Sequence, residues 1–316
     1  MTAALALGLA GSPAARSSLT LVEAPTNLGL KPLRPGHIPG AGKGPAALRA
    51  AGLDTAVEAA RVVSLGAPAY RAEAEPDSRI RNASGIRAFS LYLAATVSAE
   101  LAAGRFPLVV GGDCSILLGC LLAARPAGAG LVHVDGHSDF YHPGNYDVNA
   151  RLGSVAGMDL ALATGRGEAL LADWDGRPLI EDRHVVQIGE RDELEPDYDY
   201  WDVNDTEIRR LPVRSVLAAG VDETVRLALA PQGGEVRPLW LHVDLDVLDQ
   251  TVMPAVDSPG SPGLDYAALG ALLSGLLRSR RVMGMNVTIY DPDLDPDGVH
   301  AAGIVACLGA ALAARP

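Results

Sequence analysis

Asp135, His137 and Asp139 fall at alternate positions in the segment LVHVDGHSDF (131–140). In an extended chain all three side chains therefore leave the same face. HVDLDVLD (242–249) delivers Asp244 and Asp246, again at alternate positions, and then Asp249, and VVGGDCS (109–115) delivers Asp113 and Cys114. Carboxylates crowded together at the edge of a core repel one another, and burial raises their pKa values, unless a strong positive charge sits among them. A divalent cation supplies that charge. Carboxylate with imidazole suits manganese, iron, nickel or zinc better than calcium, which prefers more oxygen and no nitrogen. Each motif alone reads equally well as an acidic surface turn; the three together point to a metal centre. Cys114 is the ambiguous member, a soft ligand in one reading and a small packed core residue in the other.

Motifs of this kind need elements that end at one edge. Strand-like runs (SSLTLVEAP, VVSLGAP, FPLVVGGDC, GLVHVDGHSD, HVVQIGERD, PLWLHVDLDV, VMGMNVTIYDP) alternate with helical patterns. The helices are expected in GPAALRAAGL, residues 83–104, SILLGCLLAAR, SVAGMDLALATG, VRSVLAAGVDETVRLAL, DYAALGALLSGLLRS and GVHAAGIVACLGAALAA. Such alternation is the pattern of a parallel sheet covered on both faces, with ligands beyond the carboxyl ends of the strands. No internal repeat or shift in composition divides the chain, so residues 1–316 are expected to form one α/β domain.

The 316 residues are 48% hydrophobic and 20% charged, enough for a substantial core. A net charge of -12 with no basic block argues against nucleic acid or an anionic membrane surface as a partner, and leaves a small molecule. Three scattered cysteines cannot form a disulfide framework and fit a reducing cytoplasm. The opening MTAALALGLAGSPAARS has no basic residue before its apolar run, so a flexible or strand-forming terminus is the expectation rather than a signal peptide. No later stretch is long and apolar enough to span a bilayer.

The order GGD-x-S, V-D-x-H-x-D and D-x-D-x-x-D resembles the ureohydrolase family, the arginases and agmatinases. GAGKGPAALRAAGL, IGERD and PAVDSPGSPGLDY resemble further family segments, so the likeness covers most of the chain. It implies a three-layer α/β/α sandwich on a mainly parallel sheet of about eight strands, and a homo-oligomer, trimer or hexamer. It also implies two divalent ions, manganese first, with zinc, nickel or iron admitted by Cys114. Carried over by position, Asp135 and Asp244 would bridge the ions, Cys114 and Asp139 would complete one site, and His137 and Asp246 the other. Attack of a metal-bridging hydroxide, hydrogen-bonded to Asp139, on a guanidino, amidino or formimino carbon would release urea or a related amide.

Three departures from the family pattern bear on activity. Cys114 replaces a histidine. An ungapped count from Asp139 puts Leu152 at the position of the arginase proton shuttle, which leaves His142 as the nearest substitute. Alignment on the proline of IYDP puts Ile289 where the family has the glutamate that pairs with guanidinium, with Tyr290 and Asp291 as candidates to reach the substrate instead. Tyr141 stands among the loop residues that would grip the substrate head group, and Asp192 is placed to hold a substrate amine. A standard arginase is therefore not the expectation. Two alternatives remain: a deacetylase-like amidohydrolase acting on an acylated amine with one metal, and a non-catalytic structural or regulatory relative. Independently of the resemblance, His133 and His242 each stand two residues before a bridging aspartate. On neighbouring strands they would lie side by side beneath the cluster and donate to its carboxylates, or else act as ordinary core histidines.

Overall fold

The computed structural model describes residues 17–149, 153–194, 201–231 and 234–316. Eight strands form one sheet: β1 (Leu19–Ala24), β2 (Ala59–Ser64), β3 (Phe106–Gly111), β4 (Gly130–Val134), β5 (Val185–Ile188), β6 (Arg209–Leu211), β7 (Leu239–Asp244) and β8 (Val282–Thr288). Their order is β2-β1-β3-β8-β7-β4-β5-β6, and every pairing is parallel. The strands rich in Val, Leu and Ile are buried along their whole length, as a sheet covered on both faces requires.

Among the described residues, ten α-helices supply the cover: α1 (Gly44–Ala50), α2 (Leu53–Ala56), α3 (Ala83–Ala102), α4 (Ile116–Ala124), α5 (Asp159–Ala163), α6 (Ala169–Ala172), α7 (Val213–Ala219), α8 (Val221–Ala228), α9 (Tyr266–Arg278) and α10 (Val299–Ala313). Leu48, Leu53, Val216, Leu272 and Ile304 from α1, α2, α7, α9 and α10 pack on one face with Leu108, Val132, Leu241 and Met285. Leu93, Leu117, Leu160 and Leu171 from α3 to α6 pack on the other with Val109, Leu131, Val185 and Trp240. The result is the three-layer α/β/α sandwich expected from the sequence.

Several elements differ from that expectation, three of them instructively. The helix anticipated over VRSVLAAGVDETVRLAL is broken at Gly220, whose φ of 81° ends α7 and starts α8. The one anticipated over SVAGMDLALATG shrinks to the five residues of α5 after a single 3-10 turn. β6 was not anticipated, because its three residues Arg-Arg-Leu carry no alternation; they pair with β5 at the sheet edge.

The central strands β3, β8, β7 and β4 are neighbours, although the chain visits them in a different order. Their carboxyl ends therefore bring residues around 114, 289, 244 and 135 to one place. The turn after β3 is drawn in tightly: a Cβ on Gly112 would lie 1.7 Å from the Thr26 carbonyl oxygen, so only glycine lets that turn pass the end of β1. Among the described residues no helix is long and apolar enough to cross a membrane. The N-terminal stretch through Arg16 lies outside them.

Candidate metal centre

Each acidic motif turns sharply where its strand ends, and the turn is held by the carboxylates themselves. Asp135 Oδ1 accepts from the His137 backbone N–H at 2.7 Å, and Asp244 Oδ1 accepts from that of Asp246, also at 2.7 Å. Asp246 in turn accepts from the Gly136 N–H at 3.0 Å and meets His137 Nδ1 at 2.9 Å, which ties the β4 and β7 ends together. Across the cluster, Cys114 Sγ donates to Asp244 Oδ2 at 2.7 Å. Asp139 follows with a left-handed φ of 48°, which folds its side chain back into the same space.

These groups sit at the base of a cavity of about 470 Å³, and Cys114, His137, Asp139, Asp244 and Asp246 are in its lining. Asp135 lies one step deeper, 1% exposed. Tyr141, Tyr146, Ser154, Ala156, Lys31, Arg81, Asp257 and Ile289 complete the walls. Leu152 lies outside the described residues.

The electrostatics are those of a site short of positive charge. Burial and the neighbouring carboxylates push Asp135, Asp139 and Asp244 well above the ordinary aspartate range. Burial, reinforced by Asp244 and Asp139, likewise pushes the Cys114 thiol far up. Asp246 is the exception: burial opposes ionisation, but His137 and Arg191 hold its pKa down to about 2. Burial would lower His137, yet Asp246 carries it up to about 9. Asp135 Oδ2 is buried and has no hydrogen-bond partner. Donor atoms of Asp135, His137 and Asp246 lie within 4.8 Å of one another, and so do those of Cys114, Asp139 and Asp159. Oxygen donors with one imidazole and one thiol fit two divalent transition ions.

Beneath the carboxylates, His133 and His242 are register partners on β4 and β7, with stacked rings 4.5 Å apart. Both are fully buried, and burial lowers each to a pKa of about 3, so both are neutral. Their Nε2 atoms each approach Asp135 Oδ2 at 3.8 Å.

Of the remaining sequence-based candidates, only Tyr141 is in the cavity lining. His142 is turned away: its Nε2 meets Asp202 at 2.7 Å and its Nδ1 accepts from the Gly144 N–H at 3.1 Å, so both nitrogens are engaged. Asp192 is fully buried and accepts from the Ser138 backbone N–H, bracing the metal-motif turn rather than facing a ligand. The Tyr290 hydroxyl donates to Asp295 at 2.9 Å, and Asp291 accepts from the Gly40 and Asp293 N–H groups. All four have local partners in the structure, because alternation along an irregular segment does not survive once the chain leaves the strand.

Asp159 is what the sequence reading missed. It is fully buried, neither carboxylate oxygen has a hydrogen-bond partner, and burial raises its pKa to about 7. The available signal was one carboxylate inside the apolar run VAGMDLALA.

Comparison with known proteins identifies relatives of the whole chain. The sequence profile of the arginase family matches residues 24–315. An arginase from Bacillus caldovelox is 30% identical over 281 residues, covering 85% of this chain and 91% of that protein. The solved structure of Bacillus caldovelox arginase superposes with a TM-score of 0.80 at 28% identity, covering 94% of this chain and 98% of that one. Proclavaminate amidino hydrolase from Streptomyces clavuligerus shares the fold, with a TM-score of 0.67 at 22% identity over 96% and 93% of the two chains.

Proposed function

The chain belongs to the arginase family, and from that premise we propose that it hydrolyses an amidino small molecule other than free arginine, on two divalent ions. It is a hydrolase of amidino C–N bonds; the substrate and the metals are the finer part of the reading. One observation carries the choice of substrate. Ile289, at the position where the family resemblance places a substrate-pairing glutamate, puts an aliphatic side chain into the cavity wall. An aliphatic group cannot balance a buried guanidinium. Lys31 and Arg81 on the same walls favour a substrate with an anionic end. Amidino and formimino compounds that carry a carboxylate and less positive charge than an alkylguanidinium are the class that fits.

The two ions would be held by Asp135 and Asp244 together with Cys114 and Asp139 on one side, the first site, and His137 and Asp246 on the other. When bound, such ions supply the Lewis acidity that makes a water nucleophilic near neutral pH. The chain's own residues do the rest. The cavity base excludes bulk water around the carboxylates, the Asp246 pair orients His137, and Asp139, folded inward, would accept a proton from the attacking water at a carboxylate oxygen and return it to the departing nitrogen. Tyr141, in the cavity lining, would meet the substrate from the wall. His142, with both nitrogens engaged, is not the proton carrier in this reading. Manganese is the first choice of metal, and the thiol of Cys114 admits zinc, nickel or iron. A trimer or hexamer and a reducing compartment such as the cytoplasm complete the proposal; the three buried cysteines are all free.

The test is a screen for released urea, ammonia and amide across guanidino, amidino and formimino acids, run with stripped protein reloaded separately with Mn, Ni, Zn and Fe. Turnover of arginine or agmatine above that of every other compound would refute the substrate assignment. Light scattering of the reloaded protein checks the oligomer.

A further inference from the structure

We propose that Asp159, on α5, is a ligand of the first cation, taking up the coordination that Cys114 provides only weakly, and that His133 and His242 position it. This rests on the reading of the site as a two-cation centre.

The sheet presents a buried polar row. Gln187, His133, His242 and Asn286 are register neighbours across β5, β4, β7 and β8, all 0% exposed. The amide of Asn286 sets the tautomer of His242. Trp240 Nε1 can only donate, and it does so to Asn286 Oδ1 at 2.7 Å, which leaves Asn286 Nδ2 to donate to His242 Nδ1 at 2.6 Å. With Nδ1 accepting, the neutral ring carries its hydrogen on Nε2. Gln187 acts the same way on the other side. Its Nε2 donates to the His137 carbonyl at 2.6 Å and stands 3.4 Å from His133 Nδ1. Both imidazoles therefore present N–H, not a lone pair, to the space above them, and neither is a metal ligand through Nε2.

What they face is Asp159, together with Asp135 Oδ2, which lies 3.8 Å from both Nε2 atoms. His133 Nε2 lies 3.4 Å from Asp159 Oδ1 and His242 Nε2 lies 3.9 Å from Oδ2. Both imidazole nitrogens and both carboxylate oxygens lack hydrogen-bond partners in a fully buried setting, a combination that carries a substantial desolvation cost. A carboxylate with N–H donors behind it and a cation in front satisfies all four atoms, the usual arrangement by which outer groups orient a ligand. The forward direction is occupied by the first site: an Asp159 oxygen, Cys114 Sγ and an Asp139 oxygen lie within 4.8 Å of one another. Donors on opposite sides of one ion stand about 4 to 4.5 Å apart. Asp159 thus offers a hard oxygen where the chain has a thiol.

Reduced, metal-free protein is titrated with Mn(II), free ion being followed by electron paramagnetic resonance, and with Co(II), followed by its d–d absorption. Wild type is expected to take two ions per chain. Asp159→Asn should weaken one of them at least ten-fold, leave the other within about two-fold, and alter the Co(II) spectrum of the weakened site. Metal-free Asp159→Asn should melt no lower than metal-free wild type, whereas a purely structural Asp159 would lower it. His242→Phe should weaken the same ion. If Asp159→Asn does not fold, Asp159→Glu, which keeps the charge but moves the oxygens, must weaken that ion alone. Two ions bound by a folded Asp159 variant with affinities unchanged from wild type would overturn this proposal and leave the two-cation reading standing. A wild type that takes up no ion overturns both.

Discussion

Stripping divalent cations from the protein should make its stability fall as pH rises from 6.5 to 9. In the metal-free chain Asp246 holds a proton on His137, whose pKa stands at about 9 against an ordinary 6.5. Between those values the folded chain keeps a proton that the unfolded chain has released. The stabilisation is therefore complete below 6.5 and lost as pH climbs through 9. At about 1.4 kcal/mol per pH unit the loss comes to about 3 kcal/mol, counted once for the pair. Asp135, Asp139 and Asp244, also raised, act in the same direction, since each keeps a proton in the fold that it loses on unfolding. His133 and His242 act oppositely, but only below 6.5, where the unfolded imidazoles become charged. Cation binding requires deprotonated ligands, so reloading with Mn(II) should restore most at the alkaline end. Urea unfolding in EDTA, followed by the fluorescence of the buried Trp174 and Trp240, reads the difference. A stripped protein as stable at pH 9 as at pH 6.5, or more so, would refute the idea that these groups share one space without a counter-charge.

Three substitutions probe the rest of the site. Ile289→Glu should raise turnover of agmatine or arginine relative to the native substrate at least ten-fold, measured as urea release; no change would show that residue 289 does not select the substrate. Its φ of 77° is costly for a β-branched side chain, so the variant should fold at least as well as wild type. His142→Ala should cost about 1 kcal/mol in unfolding, through loss of its bond to the half-exposed Asp202, and leave kcat within about three-fold; a hundred-fold loss of kcat would return His142 to the reaction. Gly112→Ala should lower stability by roughly 3 kcal/mol or more and weaken metal uptake, because its Cβ would press on the Thr26 carbonyl and move the turn that carries Cys114; an unchanged melting temperature would contradict the close approach.

Strands were legible where a run of Val, Leu and Ile was long enough to be buried on both faces, as in β3, β4 and β7. β6 was not, since a three-residue edge strand owes its existence to its partner rather than to its own side chains. Metal candidates were legible for the same reason as the strands. Alternation fixes which side chains share a face as long as the backbone stays extended, and it placed Asp135 over His133 and Asp244 over His242. It fails past the strand end, where His142 and Asp192 chose partners no periodicity records. Asp159 was hidden differently, within an apolar segment whose neighbours give no hint of a polar destination.

The division between what was legible and what was not follows the division of labour in the site. The candidate cation ligands stand on the ends of β4 and β7 and the turn after β3, while Tyr141, Ser154, Ala156 and, just past β8, Ile289 line the cavity above them. A ligand set on strand ends cannot be rearranged without disturbing the sheet, whereas wall residues on loops can change at small structural cost. Cys114 and Asp159 fit that logic from opposite sides. In the proposed site Cys114 would be the weak ligand on the rigid frame, and the compensating carboxylate would come from a short helix in the covering layer, facing a row of amides and imidazoles that belongs to the frame. If that coupling holds, Cys114→His should relieve the demand on Asp159: in the double variant Cys114→His, Asp159→Asn, the affinity lost on removing the carboxylate should be largely regained, whereas two independent roles would leave the Asp159→Asn loss unchanged in either background.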